Sequence, residues 1–180
     1  MLGLENVYLI GPMGSGKTAV GRRLATLLGK EFRDSDAEIE NRTGVDIRFI
    51  FEKEGEARFR ARERDVIADL TALHGVVVAT GGGVVLDPVN RERLAATGVV
   101  VYLETTIDTL VRRTKASKTR PLLVNGDPRA VLERLMVVRR PLYEELADLR
   151  IDTTGRQVRA VAVEIVERLR QRVAKLERTS

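Results

Sequence analysis

Gly11-Pro12-Met13-Gly14-Ser15-Gly16-Lys17-Thr18 fits G-x-x-x-x-G-K-[ST] at every position. An apolar run at 7–10 precedes it and an amphipathic helical pattern at 18–28 follows, so the stretch reads as a phosphate-binding loop between a strand and a helix. Its glycines let successive backbone N–H groups turn inward into an anion-binding concavity, and the helix opening near Lys17 adds its positive dipole end. Lys17 is placed to reach the β- and γ-phosphates, and the Thr18 hydroxyl, fixed in the first helical turn, to ligate a Mg²⁺ that bridges them. The phosphate acceptor is left open, because such loops serve switches, motors and small-molecule kinases alike.

The 180 residues suit one α/β domain, 1–180, around one core. No apolar run approaches the ~20 residues of a membrane span, and the N-terminus lacks a basic region followed by an apolar cleavable segment, so a cytoplasmic protein is expected. With no cysteine and one histidine, His74, disulfides, thiolate metal sites and His-rich zinc chemistry are excluded, which leaves magnesium on oxygen ligands. The net charge of +5 does not point to nucleic acid, since arginines alternate with acids, as at 58–65, and aromatic residues are scarce. Anionic small substrates account for the excess equally well.

Further along the chain, Glu31-Phe32-Arg33-Asp34-Ser35-Asp36 reads as a second strand ending in carboxylates, with Asp36 or Ser35 capping a helix at 37–41. Strand alternation would turn Asp34 and Asp36 to one side, where they are either helix-cap and turn residues or a pair shared by cations and hydroxyl donors. Residues 46–73 read as two helical segments jointed near Gly55; Glu56, Arg58, Arg60, Arg62, Glu63 and Arg64 there fit a solvated charged face. Val76-Val77-Val78-Ala79 is a buried parallel strand that ends in Thr80-Gly81-Gly82-Gly83 rather than in an acid, and three glycines permit a close backbone approach. Asp87 and Thr106 cap helices on either side of a fourth strand at 99–103. Residues 115–126, with Lys115, Lys118 and Arg120, lose periodicity and read as a basic lid able to close over phosphates. A helix at 128–138 is expected to break or restart at Pro141, a short fifth strand lies at 148–152, and an apolar stripe from Val158 to Leu176 forms the last helix.

Five strands alternating with helices, a P-loop first and a basic lid late describe the nucleoside monophosphate kinase-like branch of P-loop proteins. The ordered set of the 11–18 loop, Asp34-Ser35-Asp36, Gly55-Glu56 with Phe59-Arg60 and Glu63, Thr80-Gly81-Gly82-Gly83, Arg120-Pro121-Leu122-Leu123 and Arg139 before Pro141-Leu142-Tyr143 resembles the shikimate kinase family over residues 6–156. The resemblance implies a three-layer α/β/α fold with a five-stranded parallel sheet in the order 2-3-1-4-5, a substrate-binding helical insertion at about 36–73 and a lid at about 114–126. It implies transfer of the ATP γ-phosphoryl group to the 3-hydroxyl of shikimate by a monomer with Mg²⁺ as cofactor and no nucleic-acid or membrane partner.

By the same resemblance, Lys17, Asp36 and Arg120 are the catalytic residues. Gly14, Ser15, Gly16, Lys17, Thr18, Ala19, Arg113, Arg120 and Arg156 bind ATP. Asp36, Arg60, Gly82, Gly83 and Arg139 bind shikimate, and Thr18 and Asp34 hold the metal, Asp34 through water. Two other readings share the loop. A different small-molecule kinase would need another acceptor site, and a phosphate-bearing acceptor would demand further cations. A nucleotide switch would fit the loop, but the chain lacks an N-K-x-D segment, and a basic lid favours chemistry.

Overall fold

A computed structural model of the chain describes residues 5–115 and 126–178. Its strands are β1 (Asn6–Ile10), β2 (Glu31–Asp34), β3 (Val76–Ala79), β4 (Gly98–Glu104) and β5 (Leu149–Asp152), all parallel, in the spatial order β2-β3-β1-β4-β5. The helices are α1 (Lys17–Leu28), α2 (Ser35–Thr43), α3 (Ile47–Glu54), α4 (Glu56–Thr71), α5 (Pro88–Thr97), α6 (Ile107–Thr114), α7 (Pro128–Leu146) and α8 (Val158–Glu177). The expected strand order is therefore the one observed.

The near-continuous apolar strands follow from burial on both faces of a parallel sheet. Val7, Leu9, Val77, Val99 and Val101 point to one side and pack with Val20 and Leu24 of α1 and Val161, Ile165 and Leu169 of α8. Their neighbours Tyr8, Ile10, Val76, Val78 and Val100 point to the other, against Ile39, Ile50, Phe59, Ile67, Leu94 and Tyr143 from α2, α3, α4, α5 and α7. Period-two alternation thus divides one set of strands between two cores and gives three layers. The α8 stripe is buried only in its middle, because Val158 and Leu176 lie exposed at its ends.

Two local expectations are corrected. β2 stops at Asp34, and it is Asp34, not Ser35 or Asp36, that caps α2: its Oδ1 accepts the N–H groups of Asp36 (3.0 Å) and Ala37 (3.2 Å). Asp36 accordingly sits in the first helical turn rather than in the strand, where its charge also faces the positive helix end. The second correction concerns α7, which runs unbroken through Pro141. Pro141 lies on the exposed side of the helix, so the Val137 carbonyl that loses its N–H partner is open to water. The joint at Gly55 between α3 and α4 is where the sequence places it, with Gly55 at φ 83°.

Candidate active site

The carboxyl ends of β1, β2 and β3 form the rim of the site, the position where open parallel sheets receive ligands. After Ile10 the chain turns through Gly14 (φ 82°) and Gly16 (φ 92°), conformations that L side chains rarely adopt, and enters α1 at Lys17. The Lys17 ammonium donates to the carbonyls of Gly11 (2.7 Å) and Pro12 (2.9 Å), drawing the two ends of the loop together. Thr80, at the end of β3, fixes its neighbour strand by giving both its N–H (3.1 Å) and its hydroxyl (2.9 Å) to the Leu9 carbonyl. In the first turn of α1, Thr18 Oγ1 donates to Asp34 Oδ2 at 2.7 Å. Asp34 thus caps α2 with one oxygen and faces the phosphate loop with the other.

A cavity of about 650 Å³ opens beside this loop. Of the residues expected at the site, Gly14, Gly16, Lys17, Thr18, Ala19, Asp34, Asp36, Arg60, Gly82, Gly83, Arg113 and Arg139 all line it. Ser15 is fully buried within the loop and does not. Arg156 lies apart, in the turn after β5, where it donates to the Asp152 carbonyl (3.0 Å) and to Glu164 (2.6 Å). Arg113 reaches from α6 to the Gly14 carbonyl (3.2 Å) and to the Thr153 carbonyl (3.1 Å), tying the loop to that same turn. Arg120 and all of the expected lid except its ends at 114, 115 and 126 fall outside the described residues.

At the end of the cavity away from α6, opposite charges are packed at close range. Arg60 donates to Glu63 (2.8 Å) and Glu56 (3.0 Å) and lies over the Phe59 ring at 5.0 Å, and Arg139 is only 4 % exposed. Asp36 Oδ1 is buried and has no hydrogen-bond partner. Burial first, and then the neighbouring Glu63 and Asp34 carboxylates, push the Asp36 carboxyl up to about 7, with Lys17 acting in the opposite direction. Three consecutive glycines make this crowding possible: a Cβ on Gly81 would stand 2.7 Å from Asp36 Oδ1 and 2.9 Å from Glu63 Oε1. The close approach expected of these glycines is therefore made in part by the site's own carboxylates.

Glu63, which the sequence offers only as part of a solvated charged face and of the family's motif set with no site role, is the principal addition. It is 1 % exposed, although it stands in a stretch that reads as a solvated face. Its signal is its position three residues after Arg60, which puts both on one side of α4. Ile47, Phe51 and Phe59 give the same part of the cavity an apolar wall.

The donor set fits a magnesium site completed by phosphates. Among the described residues no group of three or more Asp, Glu or His side chains gathers into a cage. Thr18 and Asp34 instead offer two adjacent oxygen ligands, and Mg²⁺ commonly takes one or two side chains together with phosphates and waters.

A phosphate loop at the end of the central strand, next to a cavity where carboxylates and guanidinium groups converge, defines a P-loop phosphotransferase. The family model described as shikimate kinase matches residues 13–170. Shikimate kinase of Pseudoalteromonas atlantica is 55 % identical over 167 residues, 93 % of this chain and 98 % of that one, and shikimate kinase of Shewanella loihica is 54 % identical over 165 residues, 92 % and 96 %. Among solved structures, shikimate kinase from Acinetobacter baumannii in complex with shikimate superposes with a TM-score of 0.92 at 48 % identity, covering 94 % of each chain. The chain belongs to the shikimate kinase family.

Proposed function

We propose that this protein transfers the γ-phosphoryl group of ATP to the 3-hydroxyl of shikimate, giving shikimate 3-phosphate and ADP. The observation that carries this reading is the convergence of Asp36, Arg60 and Arg139 with the phosphate loop on one cavity, in a chain so similar to a relative solved with shikimate.

In this reading Arg60 and Arg139 receive the carboxylate of the acceptor, a task suited to planar guanidinium groups that can bond both carboxylate oxygens. The unpartnered Asp36 oxygen accepts from an acceptor hydroxyl and orients it toward the γ-phosphorus. As the new O–P bond forms and the bond to the ADP oxygen breaks, the hydroxyl proton passes to Asp36, whose carboxyl titrates near the pH at which such a base works best. Lys17 neutralises charge on the transferring group, the step in which electrostatic stabilisation carries most of the catalysis. Thr18 and, through water, Asp34 would hold Mg²⁺, which would offset phosphate charge when bound. Arg113 and Arg156 are assigned to the adenine side and Arg120 to the transferring phosphoryl group, on the family resemblance.

We further propose that 1–180 is one kinase domain, acting as a cytoplasmic monomer on two small molecules, with no nucleic-acid or membrane partner. Sedimentation at working concentration tests the monomer.

The experiment for the activity is ADP release from Mg·ATP with shikimate, gluconate or nucleoside monophosphates supplied separately. Turnover that requires shikimate is the expected result. Turnover only with another acceptor would overturn the substrate assignment, and nucleotide binding without turnover on any of them would favour a switch.

A further inference from the structure

Tyr143 has no place in the chemistry above, yet it is fully buried directly behind the acceptor end of the cavity. Its ring stacks on that of Tyr102, with centroids 5.1 Å apart and planes at 25°. Its hydroxyl donates to the carbonyl of Gly82. Four residues earlier on α7, and so on the same face of the helix, stands Arg139, whose charge acts on the same phenol. A Cβ on Gly82 would lie 3.5 Å from Arg139 Nη1, so phenol, glycine carbonyl and guanidinium are packed together. Burial pushes the phenol well above its ordinary pKa, which keeps it a neutral donor at any working pH.

A peptide unit is planar, and none in the described chain is cis, so a carbonyl held in one direction turns the following N–H in the opposite direction. Holding the Gly82 carbonyl toward Tyr143 therefore aims the Gly83 N–H away from α7, and Gly83 lines the cavity. With no side chain at 82 or 83 to fix this peptide by packing, the phenol holds its carbonyl while backbone bonds from Val84 to Gly81 and from Leu86 to Gly83 hold the peptides on either side.

We propose that Tyr143 is a positioning residue for the acceptor: its hydroxyl sets the Gly82–Gly83 peptide plane and the Arg139 guanidinium together, so that both meet the acceptor in one geometry. This rests on the acceptor end of the cavity being where the proposed function places it. Tyr143 bonds Gly82 and stacks on Tyr102, so its loss is expected to fall on the acceptor before the nucleotide.

The test is Tyr143→Phe, which keeps the stacked ring and removes only the hydroxyl, with Tyr102→Phe as the same deletion on the other ring of the stack. For Tyr143→Phe the shikimate KM is expected to rise about tenfold, the effect of one lost hydrogen bond and a loosened partner, with the ATP KM within twofold of wild type. Tyr102→Phe should leave both constants within twofold. A shikimate KM unchanged in Tyr143→Phe, or equal rises in both constants, would overturn the proposal. Should wild-type protein use gluconate or a nucleoside monophosphate instead of shikimate, the proposed function fails on its own, and the same KM comparison with that acceptor decides the role of Tyr143.

Discussion

The guanidinium of Arg60 occupies the space in front of Gly83: a Cβ on that glycine would stand 2.4 Å from both Nη1 and Nη2. Gly83 has φ −96°, a value open to any residue, so its lack of a side chain is a demand of Arg60 rather than of the backbone.

Gly83→Ala should therefore fold and displace the flexible end of Arg60. We expect the shikimate KM to rise by about tenfold or more, with the ATP KM nearly unchanged and only a small shift in melting temperature. Steady-state kinetics with each substrate varied in turn check this. Equal effects on both substrates would mean that Arg60 does not face the acceptor.

Thr18→Val preserves shape and deletes the hydroxyl that joins α1 to Asp34. Asp34 Oδ1 still caps α2, so stability should change little. The Mg²⁺ concentration for half-maximal ADP release should rise about 10- to 100-fold, the usual scale for losing a ligand or its support. An unaltered Mg²⁺ titration would take Thr18 out of the metal site.

Lys17→Ala removes the ammonium from the loop and from its proposed place beside the transferring phosphoryl group. kcat should fall by about two to three orders of magnitude in a protein that remains soluble and folded, judged by circular dichroism. Near-normal turnover in a folded variant would contradict the phosphate-loop mechanism.

Arg139→Ala should raise the shikimate KM by about 100-fold, and Arg139→Lys by less, because an ammonium keeps the charge but not the paired geometry. Since Arg139 is buried near Glu63, the alanine variant should also melt at a lower temperature. Calorimetric titration of shikimate into the nucleotide-free protein separates binding from turnover. Normal shikimate affinity in Arg139→Ala would remove this arginine from the carboxylate site.

Asp36 gives a pH dependence of stability with a definite sign. Its carboxyl is near 7 in the folded, nucleotide-free protein and about 4 when unfolded. Between those values the folded state holds a proton that the unfolded chain releases, so this group's contribution to stability declines as pH rises from about 4 to 7 and then levels off. Asp36→Asn abolishes the effect. Its melting temperature relative to wild type should climb from pH 5 to pH 7 and flatten by pH 8, and a difference constant across that range would refute the assignment.

The central elements were legible because their signals are local. The 11–18 motif lies between an apolar strand and an amphipathic helix, and Asp87 and Thr106 cap their helices as read, accepting from Val89 and Thr109. What the sequence could not reveal depends on how distant segments meet. Whether Asp34 or Asp36 caps α2 is decided by where pairing with β3 stops, at Asp34 opposite Ala79. Glu63 belongs to a charge pattern that usually faces solvent, and only the arrival of Gly81 and Arg139 from other elements encloses it. Pro141 is read as a break by local rules, while α7 tolerates it because that side of the helix faces water.

The pairing of Arg60 with both Glu56 and Glu63 has a consequence for product departure. Glu63 and Asp36 line this end of the cavity with the guanidinium groups of Arg60 and Arg139, while Glu56 meets Arg60 from the exposed side. An anionic acceptor is therefore held by the paired geometry of the guanidinium groups rather than by a net positive charge. Once its hydroxyl carries a phosphate, the same molecule brings close to two further negative charges near Glu63 and Asp36, so in the proposed reaction charge repulsion at this end favours departure of the product.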